Sequence, residues 1–213
     1  MRMIVALAMV LAIAGTTGCN IETHGRGDNK NVKIATPFGG MQVRTNEAVV
    51  VTGIGVPVYP GSTIVKKDKG DDGAVDLNMS FGSFQMKVKA ASYRTPDTPE
   101  KVLGFYKKEL ARFGSVIQCL HDRPVGMPTH TDEGLTCQDD DHHDGDQVNL
   151  DKGDLNDNGN DATELKVGSK RRRHVVELHP DGAGTKFGLV LLELPGDFHS
   201  DSGDKGFQSE GKQ

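Results

Sequence analysis

Side chains that bind hard cations are concentrated in one stretch of this chain. Residues 139–161 hold nine Asp and one Lys, and Val148, Leu150 and Leu155 are the only apolar side chains among them. Carboxylates this dense repel one another and bury nothing, so the stretch reads as an acidic, disordered insertion between two strands. Divalent cations such as calcium favour clustered oxygen ligands. Asp154, Asn156 and Asn158 set oxygen donors on alternate residues, and Gly159 follows where a tight loop needs a glycine.

Those four residues resemble the first half of an EF-hand type calcium loop, and the resemblance implies Asp154, Asn156 and Asn158 as metal ligands. The second half departs from it. Asp161 stands where an apolar residue belongs, Leu165 stands where the bidentate Glu belongs, and no flanking helices are predicted. Nitrogen and sulfur donors lie nearby: His121, His130, His142 and His143, with Cys119 and Cys137, are the ligand types zinc and copper prefer. Their spacing follows no established ligand pattern, and His142 and His143 are the best placed of them. Arg171-Arg172-Arg173, with Lys170 and His174, is the one dense basic cluster, suited to anionic lipid headgroups, to the acidic stretch or simply to water.

No G-x-S-x-G elbow, phosphate-binding glycine loop or H-E-x-x-H pair occurs, so no catalytic residue is assigned. A net charge of -5 without any Trp argues against a basic nucleic-acid binder, and the short apolar runs exclude a multi-span membrane protein.

The N-terminus supplies an address. Arg2 precedes an apolar run over residues 4–14, too short to span a bilayer and right for a signal peptide. Thr16-Thr17-Gly18-Cys19 resembles the bacterial lipobox, in which the cysteine is diacylated and becomes the mature N-terminus. Gly18 and Cys19 fit it; Thr16, where Leu is usual, departs. The resemblance implies lipidation at Cys19 and a membrane as partner, and Asn20 in place of Asp implies the periplasmic side of the outer membrane. Without acylation, the same leader implies a periplasmic or secreted chain. In an oxidising compartment the two remaining cysteines, Cys119 and Cys137, most simply form one disulfide, worth about 3 kcal/mol on the chain-entropy model.

Elements that could position these groups follow from periodicity. Residues 20–30 are polar and read as a flexible tether. Val32, Ile34, Thr36 and Phe38 alternate up to Gly39-Gly40, and Met41, Val43 and Thr45 alternate after it. A turn at the two glycines would set Phe38 opposite Met41 and Thr36 opposite Val43. In a second hairpin Val75, Leu77, Met79 and Phe81 face Ala90, Val88, Met86 and Phe84 across Gly82-Ser83. A short strand is predicted near residues 63–66, with others over 115–120, 134–138 and 163–168. A last hairpin runs from His174 to Leu194 around residues 181–184, its second strand central to the sheet. One helix is predicted, capped by Asp97 and Glu100 and stopped at Gly114. Its stripe of Val102, Leu103, Tyr106, Leu110 and Phe113 spans about 100°, with Tyr106 a core residue.

Tyr59-Pro60-Gly61, Tyr93 through Val102, and Phe105 through Leu110 together resemble a group of uncharacterised bacterial exported proteins and lipoproteins. In that group a YPG turn precedes a helix carrying a "tPe+v..FY+keL" pattern on a small antiparallel sheet. The resemblance covers roughly residues 57 to 120 and implies a fold unit, with no activity to transfer.

The expected architecture is α+β: one domain over residues 31–195, a mostly antiparallel sheet of about seven to nine strands with one packed amphipathic helix, and a disordered tail over 196–213. The leading functional expectation is a non-enzymatic envelope lipoprotein, a binding or structural module tethered to a membrane and open to a protein partner in the envelope, with no cofactor. A calcium-responsive protein acting through 139–161 is the alternative, and a hydrolase with a dispersed site is a third.

Overall fold

The structure, a computed structural model, describes residues 19–25, 29–66, 73–139 and 162–195. Along the chain come β1 (Asn20–His24), β2 (Asn31–Thr36), β3 (Gly39–Arg44), helix α1 (Glu47–Ile54), β4 (Thr63–Ile64), β5 (Ala74–Phe81) and β6 (Phe84–Thr95). Helix α2 (Pro99–Leu110) then runs into a 3-10 turn (Ala111–Phe113). The remaining strands are β7 (Ile117–Leu120), β8 (Arg123–Pro124), β9 (Thr163–Gly168), β10 (Arg172–Asp181) and β11 (Gly184–Glu193).

All eleven strands belong to one antiparallel sheet, ordered β1-β2-β3-β5-β6-β11-β10-β9-β7-β8, with β4 paired to β6. The α+β class is as expected, but among the described residues the strands exceed seven to nine and two α-helices stand where one was predicted. Two of the unexpected elements, β1 and α1, have a clear physical cause. Asn20 to His24, read as part of a tether, contains a single apolar residue, Ile21; it is ordered as β1 by pairing along β2, with every side chain exposed. Helix α1 carries Val49-Val50-Val51, β-branched residues of poor helix propensity, and its termini decide the matter. The Asn46 side chain accepts the Val49 N–H at 3.0 Å, and Gly55 closes the helix at φ 76°.

The β5–β6 hairpin has the predicted register, Phe81 opposite Phe84 through Val75 opposite Ala90. The β2–β3 hairpin does not: Thr36 pairs with Gly39 and Ile34 with Met41, so Pro37-Phe38 is the turn. Proline lacks an N–H to give a ladder and suits the first turn position. Thr36 secures the turn by donating to the Gly39 carbonyl at 2.8 Å and accepting the Phe38 N–H at 3.3 Å. The turn moves back two residues and the pairing register shifts by four, an even number, so the strand side chains still share a face. The β10–β11 turn tightens likewise, Asp181 pairing with Gly184. The strand expected over 134–138 is a turn region instead, because Thr131 exchanges backbone hydrogen bonds locally with Leu135 and Gly134.

The N-cap position of helix α2 is Thr98 rather than Asp97, and no side chain caps it. Both helices lie on one face of the sheet. Val50 and Ile54 from α1, and Val102, Tyr106 and Leu110 from α2, join Phe187 in the main core. Phe187, on the central strand β11, touches the rings of Tyr93, Tyr106 and Tyr59 with centroids 5.6, 5.4 and 6.3 Å away; burying such a ring contributes about 2 kcal/mol.

The opposite face divides in two. Over β7 and β9, Ile117, Cys119 and Cys137 form a second, small cluster. Over β1, β2, β3, β5 and β6 the pairing sets apolar side chains in cross-strand rows. Ile21, Ile34, Met41, Met79 and Met86 stand opposite one another on consecutive strands. Val32, Val43, Leu77, Val88 and Leu192 form the next row, which reaches β11. None of these ten residues belongs to either packed cluster.

Candidate functional site

Cys119 and Cys137 are joined, Cα to Cα 5.6 Å, and both are buried. β7 brings Cys119 beside Glu164 of β9, and the loop after β8 returns Cys137 to it. Beneath the bridge Lys166 is fully buried, its Nζ 3.2 Å from the Cys137 carbonyl and 3.0 Å from Glu164. With both thiols in the bridge, neither is a metal ligand. His121 and His130 are exposed. Among the described residues no three His, Cys, Asp or Glu side chains are grouped to hold a metal. Asp154, Asn156, Asn158, His142 and His143 lie outside the described residues, as do 196–213.

The basic cluster is split by strand alternation. Lys170, in the β9–β10 turn, pairs with Asp139 at 2.5 Å, and Arg172 pairs with Glu193 at 3.2 Å. Partial burial opposes the Asp139 charge, but hydrogen bonds from Lys170 and Thr136 hold its carboxyl below the usual range. Arg173 and His174, on opposite faces of β10, are both buried. His174 Nε2 lies 2.9 Å from the Ile54 carbonyl, and its ring stacks on Phe113 at 4.1 Å. Desolvation drives its pKa below the ordinary histidine value, with Arg172 and Arg112 adding to the effect against the Ile54 hydrogen bond.

A polar network surrounds the start of α2. The Tyr59 hydroxyl donates to Asp97 at 2.8 Å and Lys101 donates to the same carboxyl at 2.9 Å; separately, at the start of α1, Tyr93 donates to Glu47 at 2.9 Å. The Lys101 and Tyr59 hydrogen bonds lower the Asp97 pKa, and that same bond to Asp97 raises the Tyr59 phenol. Burial raises the phenols of Tyr93 and Tyr106. These groups all shift away from neutrality, the reverse of what general acid–base chemistry needs. The network fastens the Tyr59-Pro60-Gly61 turn to the helix.

Two surfaces remain on the β1–β6 half of the sheet. Over β2, β3, β5 and β6 lies a groove of about 340 Å³, lined by Lys33, Ile34, Met41, Gln42, Asn78 and Met79 among others. The apolar rows lie on the face away from the helices. Alternation in the sequence shows that these side chains share a face; it does not show that both helices choose the other one. Cys19 is exposed and immediately precedes Asn20, which pairs with Ala35 near the β2–β3 turn. Arg112 is held at the Gly55 carbonyl, and its guanidinium lies 4.8 Å over the Phe113 ring.

No known protein family, curated protein or solved structure matches this chain.

Proposed function

We propose that this chain is an envelope lipoprotein: a non-enzymatic binding or structural module held at a membrane through acylated Cys19. The observation that carries the reading is the place of Cys19, exposed and one residue ahead of a strand paired into the sheet. An anchor there fixes the domain at the bilayer without a long tether, and two acyl chains supply stable attachment where one gives only reversible binding. The Cys119–Cys137 bridge suits an exported protein, and the lipobox-like leader supplies the route.

Metabolic labelling with an alkyne palmitate analogue tests it. The wild-type chain is expected to be labelled and to fractionate with membranes, and Cys19→Ala to lose both properties. A wild-type chain that stays unlabelled would remove the anchor and leave a periplasmic or secreted protein.

A further inference from the structure

We propose that the apolar face of strands β1, β2, β3, β5 and β6 docks on a lipid bilayer, edge first, through the end of the sheet that carries Cys19. Four observations converge there. First, both rows of apolar side chains lie on the face that neither helix packs against; Val88 and Leu192 of the inner row are already buried, so the outer row and the hairpin tips are what a bilayer would meet. Second, this region carries large, well-exposed apolar side chains: Ile21 is 64% exposed, Phe38 83% and Phe81 44%. Pairing of Gly39 with Phe81 sets the Phe38 turn beside the Phe81–Phe84 turn. Third, residues 34–41 and 77–86 contain no charged side chain, so neither hairpin tip carries a group that resists entry into the headgroup region. Fourth, the β9–β10 turn with Lys170 and Arg171 lies toward the same end, since Arg172 pairs with Glu193 and Glu193 with Lys87. Both are exposed, and Asp139 partners Lys170.

Continuity selects a membrane over other occupants. Cys19 lies two residues before Ile21, the first member of the outer row, so an acyl chain on Cys19 enters lipid beside that row. The inference deepens the lipoprotein reading and rests on it for the orientation. It adds that the domain lies against the bilayer by its own side chains instead of hanging from the anchor.

The test uses the mature chain from Cys19 onward. Cys19 is its only thiol outside the disulfide and can be coupled to a maleimide-headgroup lipid in phosphatidylethanolamine/phosphatidylglycerol vesicles that contain brominated acyl chains. The chain has no Trp, so Phe38→Trp introduces a single reporter at an exposed site, and Ala183→Trp places a control in the exposed turn at the far end of the sheet. Emission from Phe38→Trp is expected to shift to the blue on coupling and to be quenched several-fold more than that from Ala183→Trp. Equal quenching, or none, would overturn the docking. So would a concentration-dependent dimer in sedimentation that shields the reporter without lipid, because the face would then belong to a second copy. Chemical coupling does not need cellular acylation, so failure of the palmitate labelling would remove the lipoprotein reading and leave this result standing. Labelling in cells together with an unquenched reporter would do the reverse.

Discussion

The Tyr106 hydroxyl accepts the backbone N–H of Tyr59 at 3.0 Å, and this bond joins the YPG turn to helix α2 through the core. Gly61 at φ 74° and the Ser62 N–H to Tyr59 carbonyl bond shape the turn, while the phenol holds it from below. Tyr106→Phe keeps the ring against Phe187 and removes only the acceptor. Loss of a buried partner costs about 1–3 kcal/mol, so the urea midpoint should fall by a corresponding amount. Tyr59→Phe removes the half-exposed bond to Asp97 and should shift the midpoint less. Equal shifts in the two variants would show that the backbone bond carries no special weight.

Asp76 and Lys89 form the second relationship that mutation can read. Asp76 is 1% exposed, its carboxylate 2.6 Å from Lys89 Nζ, with Asn78 donating at 2.7 Å and the Arg44 guanidinium 4.0 Å away. The lysine stem passes against α1 where the helix has Gly53; a Cβ there would sit 2.8 Å from Lys89 Cε. Lys89→Met leaves the aspartate buried without its nearest cation and should cost about 3 kcal/mol. Adding Asp76→Asn to that variant should recover part of the loss, and a double-mutant cycle on denaturation free energies measures the coupling. Purely additive effects would contradict the pairing.

Legibility of this fold in the sequence followed how local the determining forces are. The β5–β6 register was readable because four apolar pairs and a Gly-Ser turn agree on one alignment. The β2–β3 turn was misplaced because two glycines are a stronger turn signal than Pro37-Phe38, although Thr36 and the missing proline N–H decide it. Helix α1 was invisible: three consecutive valines outweigh a single Asn46 cap in any reading of propensity. β1 exists by pairing alone, without an apolar pattern of its own. The candidate membrane face was half legible, since alternation gives the side chains on a face and only tertiary packing decides which face the helices cover.

Cys119 and Cys137 lie 18 residues apart in sequence, a separation for which bridging constrains the unfolded chain by about 3 kcal/mol. The chain recovered from an oxidising compartment should show these cysteines joined by mass spectrometry without reductant. Cys119→Ala with Cys137→Ala should lower stability by about that amount, and residues 121–139 should then be cut first in limited proteolysis, because the bridge ties that loop to β7. Two free thiols in that wild-type chain would exclude the bond.

His174 makes stability depend on pH in a direction fixed by its surroundings. The ring is desolvated beneath Phe113 and faces Arg172 and Arg112, so its folded pKa lies below 6.5. As pH falls through 6.5, the unfolded chain takes up a proton that the folded chain resists. Stability is therefore complete above the unfolded pKa and declines as pH drops toward the folded one, by at most about 1.4 kcal/mol per pH unit for this single group. The neutral ring donates from Nε2 to the Ile54 carbonyl, which a glutamine amide can also do, so His174→Gln should keep the bond and lose this part of the slope between pH 5 and 7. NMR titration of the histidine ring protons reads the pKa directly. A His174 resonance titrating at or above 6.5 would mean that the Ile54 bond and Glu193 outweigh burial, and the sign of the pH dependence would reverse.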